Sequence, residues 1–541
     1  MQTRRTTAGD PLPPSQRTLV RASLLLLLVL LLATYLLRFD DVCGLLWDDA
    51  WYVLLARALA TGHGYTLTNT PTPGLVPFYP PGFPLLLSLV FRIAPDFPDN
   101  VVLLKAVSLL AMAGVALLAI HHARRDQRLP FVIAWTIGVA TALHPAFVFL
   151  ATSTVMSECV FTLAQLGSVV AVERALRAGG GTAAARRALA AGLLAGFTFL
   201  TRGAGIALLI ACLVRLVWRR AWAAGLAFTL AAGAVAAPWV LYARAHAPTP
   251  TLQAEANDAV TVGYGTHFWH RVAGHPELGT VTASDLRGRI AGNLWQIARS
   301  SMGALHVYFP FRSVEPAAWR IAPGWGHAVA LAFTAVVALG FAATLRERVT
   351  AAELLVPLSL LVTVAWPFPP TRFVLPLLPF VLCYTARGLA LLARPLTRRD
   401  VSPFALAVLG GLAVVSVVTN ALYAASLHGP APRRPRWNQV FAEERALLDW
   451  LKTHVPGGQV IATDHPAQVH LYAGFQTVGY YDASGAFEQW RRLGVHFFAR
   501  AAFQPRRDPT LARFGPVFRT PVFGMRVLDL SPLYDRPPGP G

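Results

Sequence analysis

The chain has 541 residues, of which 55% are hydrophobic and 14% are charged, whereas about a quarter of an ordinary soluble domain is charged. This composition excludes a soluble globular protein and favours one that lies in a lipid bilayer. The formal net charge of +20 does not indicate nucleic-acid binding, because the arginines gather in short loops between apolar runs.

The first apolar run, residues 18–37, has the length of a transmembrane helix, which needs about 20 residues. It is too long for the apolar core of a signal peptide, and no small-residue cleavage motif follows it, so we interpret it as a retained helix. If every arginine-rich loop lies in the cytoplasm, the apolar runs give about 11 transmembrane helices. The other runs are residues 101–120, 130–150, 155–171, 188–200, 203–217, 222–241, 327–345, 354–367, 373–392 and 403–427.

This arrangement predicts a transmembrane domain of residues 1–427 with a cytoplasmic N-terminus and two long outer loops, residues 39–98 and 244–325. Residues 428–541 differ in kind, because short apolar segments alternate there with turns and with helical spacing. They predict a small α/β domain outside the cytoplasmic (inner) membrane, in which residues 517–522 and 524–530 form a strand pair.

The sharpest motif is WDDAWY at residues 47–52, directly after the first span. Apolar residues then recur at helical spacing, which predicts a short helix at the membrane surface that begins with Asp48 and Asp49. Two carboxylates pressed against a bilayer are costly without a function. A helix cap would explain one of them, but it leaves the second aspartate unexplained.

Three further charged residues are predicted on the same outer face. Glu158 lies at the outer end of an apolar helix, where an acid usually faces a water-filled cavity, although a solvated helix start is the alternative. Arg202 and Arg372 suit a phosphate or a carboxylate, although anchoring in lipid headgroups would also explain them. Sugar transfer from a lipid phosphate needs such a set, with an acid to take a proton and cations to stabilise the leaving phosphate.

Histidines and cysteines give no metal motif. His267, His270 and His275 lie in the second outer loop without the tight spacing of metal ligands, and the four cysteines are scattered. We predict no metal site from these residues.

The order of these motifs resembles the membrane glycosyltransferases of the GT-C superfamily, in the branch of the protein O-mannosyltransferases and the aminoarabinose transferases (glycosyltransferase family 39). The resemblance covers about residues 18–400. It rests on the acidic motif and its helix at residues 47–57, YPPGFP at 79–84, the pair Ser157-Glu158, LTR at 200–202 and RFVLPLLP at 372–379.

The resemblance implies a helical GT-C fold, a sugar donor linked to polyprenyl phosphate, and transfer that commonly inverts the anomeric centre. It also implies that Asp48 is the catalytic base. We expect Asp49 to assist it, either by positioning the acceptor or by holding a divalent cation. The expected substrate-binding residues are Glu158, Arg202, Arg372, Tyr79 and Arg57.

One departure concerns the donor phosphate. The aminoarabinose transferases carry a lysine before the Pro-Pro pair, whereas this chain has Tyr79. The difference disfavours that particular activity and leaves Arg202 or Arg372 to contact the phosphate.

We therefore predict an enzyme that passes a sugar from a polyprenyl phosphate to a lipid, glycan or protein acceptor on the outer face of the membrane, with no nucleic-acid partner. The alternative is a transporter or flippase, which would place functional charges near the bilayer midplane within broken helices.

Overall fold

The computed structural model describes residues 14–179, 181–272, 274–307, 323–394, 402–483, 485–501 and 509–535. These residues are mostly helical, and the protein is a multi-pass membrane protein. The helices before the C-terminal domain are α1 (Pro14–Arg38), α2 (Asp48–Ala60), α3 (Gly82–Ile93), α4 (Val101–His121), α5 (Phe131–Ala142), α6 (Pro145–Thr152), α7 (Glu158–Leu176), α8 (Gly181–Thr201), α9 (Ile206–Trp218), α10 (Trp222–Ala245), α11 (Pro250–Ala256), α12 (Tyr264–Trp269), α13 (Ala283–Gln296), α14 (Met302–Ala304), α15 (Pro323–Glu347), α16 (Ala351–Ala365), α17 (Thr371–Val374), α18 (Leu378–Ala393) and α19 (Ser402–Leu427).

Eight helices in the described ranges are long and apolar enough to cross a membrane, and the bent pair α5–α6 makes a ninth span. Two shorter apolar helices, Gly203–Trp218 and Ala351–Ala365, coincide with the two remaining predicted spans. The hydropathy pattern therefore located the eight long spans and the bent pair, and the count of 11 spans stays a prediction. Some helices are longer than the apolar runs that predicted them. For example, α8 begins at Gly181, whereas the predicted span begins at residue 188, because the first two turns of α8 contain arginines.

The run at residues 130–150 is not one straight helix, as its hydropathy suggested. Its two parts, α5 and α6, are bent by 44°. Pro145 causes the break, because proline has no N–H to donate to the preceding turn and is favoured at the first position of a new helix.

Close helix packing depends on small residues at crossing points, as is common in membranes. A Cβ atom at Gly340 of α15 would lie 1.8 Å from the carbonyl oxygen of Tyr384 in α18, so only glycine fits there. Because α17 and α18 carry the segment around Arg372, this contact helps to fix one wall of the site described below.

The C-terminal domain is α/β, as predicted. The strands of the protein are β1 (His270–Val272), β2 (His275–Thr280), β3 (Val460–Thr463), β4 (Gln476–Val478), β5 (Phe497–Arg500), β6 (Pro516–Arg519) and β7 (Arg526–Asp529), and the helices of the domain are α20 (Arg436–His454), α21 (Pro466–Ala473) and α22 (Ala486–Arg492). The sheet of the domain has the order β4-β3-β5-β7-β6, in which β3 is parallel to β4 and β5, while β7 is antiparallel to β5 and β6. A separate two-stranded hairpin, β1–β2, lies between α12 and α13.

The predicted strand pair corresponds to β6 and β7, whereas α21 and β4 were not predicted. Both are short, at 8 and 3 residues, so their sequences hold too few turns or alternations to be recognised. The apolar face of α20 is continuous with the core of the transmembrane domain, and a second core around Trp490 and Phe498 lies on the sheet. The C-terminal domain is docked on the loop of residues 39–98, since Gln468 donates to Cys43 and Asn69 donates to Thr477.

Candidate active site

The loop that follows α1 makes a tight turn before α2. Trp47 has a φ of 68°, a left-handed conformation that is strained for a bulky residue and that often marks a functional site. The carboxylate of Asp49 stabilises this turn, because it accepts hydrogen bonds from the backbone N–H groups of Gly44 (2.8 Å) and Leu46 (3.0 Å). The turn places Asp48 at the first residue of α2.

The Asp48 side chain does not cap its helix, since its oxygens are used elsewhere. The Tyr79 hydroxyl donates to Oδ1 at 2.6 Å, and the Arg372 guanidinium forms a very short contact with Oδ2. The interpretation of Asp48 as a helix cap is therefore wrong, and no side chain caps the start of α2 in the described residues.

Glu158 lies behind this contact at the first residue of α7 and is only 1% exposed. Its Oε1 atom is 2.7 Å from Nε of Arg372 and 2.8 Å from Nη1 of Arg202. Arg202 also donates to the Ser157 hydroxyl at 3.1 Å, and that hydroxyl donates to Tyr52 at 3.2 Å. Four segments that are far apart in sequence thus meet in one charged cluster.

The four charges of the cluster cancel, which is how buried ions are tolerated. Their exposure is graded, because the side chains of Arg372 and Asp48 are 31% and 20% exposed, whereas those of Arg202 and Glu158 are 12% and 1% exposed. A ligand that enters from solvent therefore meets Arg372 and Asp48 first. Glu158 lies at the closed end and neutralises both arginines.

Aromatic rings form one side of the cluster. Phe78 packs on Tyr79 at 4.4 Å between ring centroids and on Tyr264 at 4.8 Å, and Tyr264 contacts Trp366 at 5.8 Å. Both guanidinium groups lie 5.7 Å from the ring of Phe373. Rings of this kind give an apolar surface with polar edges, which suits both a sugar ring and an isoprenoid chain.

The pKa values of the two adjacent aspartates are shifted in opposite directions. Burial alone would raise the pKa of Asp48, but Arg372, the Tyr79 hydroxyl and Arg202 together lower it below the ordinary value of an aspartate. Burial raises the pKa of Asp49 to about 6, even though the two backbone N–H groups oppose that change. Asp48 is therefore an ionised carboxylate at neutral pH.

The structure brings together five of the seven residues that the sequence singled out: Asp48, Tyr79, Glu158, Arg202 and Arg372. Asp49 is fully buried and faces the turn instead of the cluster. Arg57 lies nine residues along α2, about 14 Å from Asp48 by the rise of an α-helix, and has no contact with the cluster in the described residues.

Tyr52 and Ser157 belong to the cluster but were not singled out. Tyr52 lies four residues after Asp48 on α2, so helical geometry puts both on one face, and that spacing would have identified it. Ser157 precedes Glu158 in the sequence, and only the fold reveals that its hydroxyl contacts Arg202.

In the part of the chain that the structure describes, the acidic side chains are not arranged as a cation site. Among the described residues, no three side chains of His, Cys, Asp or Glu converge as metal ligands. Asp48 and Glu158 are met by arginines, and Asp49 is met by backbone N–H groups.

No family model matches the chain, and no curated protein matches its sequence. Solved structures do match. The oligosaccharyltransferase of Archaeoglobus fulgidus in complex with Zn and sulfate matches with a TM-score of 0.59 and 13% identity, over 94% of this chain and 73% of its own. ArnT from Cupriavidus metallidurans bound to undecaprenyl phosphate matches with a TM-score of 0.52 and 14% identity, over 94% and 98% of the two chains. The chain has the GT-C fold.

A third GT-C structure agrees with these two. The archaeal oligosaccharyltransferase AglB from Archaeoglobus fulgidus, in complex with an inhibitory peptide and a dolichol-phosphate, matches with a TM-score of 0.52 and 14% identity over 90% of this chain and 70% of its own. At 94% coverage, the match to ArnT leaves little of the chain outside the alignment, so it includes most of the C-terminal domain. The fold that the motif order predicted is thereby confirmed.

Proposed function

We propose that the protein transfers a sugar from a polyprenyl-phosphate donor to a lipid, glycan or protein acceptor at the outer face of the membrane, with Asp48 as general base. The observation that carries the proposal is the cluster of Asp48, Arg372, Glu158 and Arg202, which lies at helix ends beside an aromatic surface. The GT-C fold supports it, since the ArnT and AglB structures with this fold hold undecaprenyl phosphate and dolichol-phosphate.

In the proposed reaction the acceptor hydroxyl attacks the anomeric carbon, and its proton passes to the Asp48 carboxylate. The bond between the anomeric carbon and the phosphate oxygen breaks, and the polyprenyl phosphate leaves with the electron pair. Arg372 and Arg202 stabilise the negative charge on the leaving phosphate. Tyr79 holds the other oxygen of Asp48 and so orients the base.

Arg372 links donor binding to the strength of the base. It contacts both Asp48 and Glu158, and its charge is a main reason why the pKa of Asp48 is low. A donor phosphate that engages Arg372 weakens its hold on Asp48, which makes the carboxylate a better proton acceptor. The base is then strongest only when a donor is present.

The alternative function, a transporter, is less well supported. It predicts charges inside broken helices near the membrane centre. The bent pair in the described residues, α5–α6, carries His144 at its break, and that side chain contacts the carbonyl oxygen of Ala304 at 3.1 Å. The acids and arginines of the cluster lie instead at the ends of helices.

We expect the N-terminus to be cytoplasmic and the C-terminal domain to be outside. Glu158 begins α7 and Arg174 lies in its last turn, so the cluster and this basic loop are separated by the 19-residue helix, about 28 Å long. The positive-inside rule assigns the basic end to the cytoplasm. Reporter fusions after Leu427 and within residues 174–187 should report opposite sides, and the same side for both would contradict the assignment.

The function is tested by incubating the purified protein in liposomes with lipid, glycan and peptide acceptors and a panel of polyprenyl-phosphate sugars that carry a radiolabel in the sugar. We expect one donor to lose its label to an acceptor and to release polyprenyl phosphate. A transporter would instead move the label across the bilayer with the lipid–sugar bond intact, and that result would overturn the proposal.

A further inference from the structure

The C-terminal domain reaches the turn that carries Asp48. The side-chain amide of Gln468, in α21, donates to the carbonyl oxygen of Cys43 at 3.0 Å. The Tyr472 hydroxyl, one helical turn further on, donates to the same oxygen at 3.2 Å. Cys43, Gln468 and Tyr472 are all buried, so solvent cannot replace these hydrogen bonds.

The turn is also shaped around the Gln468 side chain. Gly44 has a φ of 104°, which favours glycine, and a Cβ atom built on it would lie 1.4 Å from Oε1 of Gln468. No larger residue fits at position 44 while Gln468 keeps its place. The N–H of Gly44 donates to Asp49, so one residue of the turn contacts both the C-terminal domain and the acid beside Asp48.

Gln468 is itself held in one orientation. Its amide nitrogen also donates to Oε2 of Glu444 at 3.1 Å, and Oε1 of Glu444 is 2.9 Å from Nδ1 of His465. Glu444 and Gln468 are fully buried, and both oxygens of Glu444 are used. The amide can therefore neither rotate nor leave the turn without breaking a second buried hydrogen bond.

We propose that Gln468 is a positioning residue for the active site, so that the C-terminal domain sets the position of the base through the turn at residues 43–49. The chain of contacts runs from Glu444 to Gln468, then to Cys43 and Gly44, then to Asp49, and ends at Asp48 on the first residue of α2. The inference rests on the proposed function, because Asp48 is taken as the base.

The first test compares Gln468→Met with the wild type in the transfer assay. Methionine keeps the length of the side chain but has no N–H group. The hydrogen bond to Cys43 is therefore lost, while the core stays filled. Since a small misplacement of a catalytic group lowers the rate of chemistry, we expect kcat to fall by about 10–100-fold with KM for the donor unchanged. Gln439→Met on α20 is the matched control, because Gln439 donates only to carbonyls of the linker at Pro432 and Arg434.

The rate at which Cys43 is labelled measures how accessible the turn is, independently of sugar transfer. The other three cysteines, Cys159, Cys212 and Cys383, are buried and can be replaced by alanine to leave Cys43 as the only thiol. We expect Gln468→Met to accelerate modification of Cys43 by a maleimide, while Gln439→Met leaves the rate unchanged. Tyr472→Phe, which removes a single hydroxyl, should change labelling and kcat in the same direction by less, so the test does not depend on one variant folding.

Each outcome separates the inference from the proposed function. Faster labelling together with unchanged kcat would overturn the positioning role and leave the base assignment intact. Unchanged labelling would overturn the inference whatever the activity. A wild type that transfers no sugar would remove the proposed function and with it the positioning role of Gln468, while the Cys43 labelling would still report whether the domain holds the turn.

Discussion

Asp48→Asn is expected to lower the rate of sugar transfer by about 10²–10⁴-fold, which is the usual contribution of a general base. Asparagine has nearly the same size and still accepts a hydrogen bond from Tyr79, but it cannot take up the proton of the acceptor. Arg372 keeps its contact with Glu158 in this variant, so the cluster should remain assembled. The measurement is single-turnover transfer from the polyprenyl-phosphate donor at saturating donor concentration.

Asp41→Asn is the matched control for Asp48→Asn. Asp41 is an exposed aspartate in the same loop between α1 and α2, outside the cluster, and its replacement should leave the rate unchanged. Thermal unfolding should also be nearly the same in both variants. An Asp48→Asn protein with normal activity would overturn the assignment of the base, although not the fold.

Arg372→Gln is expected to lower kcat/KM by about 10²–10³-fold, the effect of removing one donor that stabilises developing charge. Arg372 is the most exposed cation of the cluster and contacts both acids, so it is the group that an incoming phosphate meets first. Arg372→Lys should retain part of the activity, because lysine keeps the charge but not the two-sided contact of the guanidinium. The affinity for the polyprenyl-phosphate donor and the rate of sugar transfer are measured separately, and we expect both to fall.

Arg92→Gln controls for a general loss of positive charge, since Arg92 is exposed at the end of α3 and away from the cluster. If Arg372→Gln bound the donor and transferred its sugar as well as Arg92→Gln did, the phosphate would have to be held elsewhere. Arg202 would then be the remaining cation of the cluster.

Much of the fold and part of the site follow from the cost of placing polar groups in a membrane. The lengths of the apolar runs predicted the spans. Because charges beside a bilayer are costly, the sequence alone also pointed to Asp48, Glu158, Arg202 and Arg372. The structure brings these four together because charges in such surroundings need partners. The cost of an unpaired charge beside a membrane shows which side chains need a partner, but it does not show which partner each one has.

The parts that could not be predicted depend on contacts across the whole chain. Asp49 looked like a second functional acid, yet its carboxylate holds a turn whose shape the sequence does not reveal. Arg57 belongs to the same motif, but it lies nine residues after Asp48 on α2 and is therefore too far along the helix to reach the cluster. Gln468 gave no signal, since one glutamine in a small domain is ordinary until its contact with Cys43 is known.

The contact between Gln468 and Cys43 has a consequence for how the protein is made. The two residues are 425 positions apart. At a synthesis rate of about 5–20 residues per second, the ribosome needs roughly 20–85 s to travel between them. During that time the loop of residues 39–98 lacks the hydrogen bond that Gln468 donates to Cys43. The transmembrane helices can insert and pack before the turn at Asp48 gains these contacts. A chain that stops before the C-terminal domain would therefore contain the transmembrane helices but would lack the contacts that hold the turn.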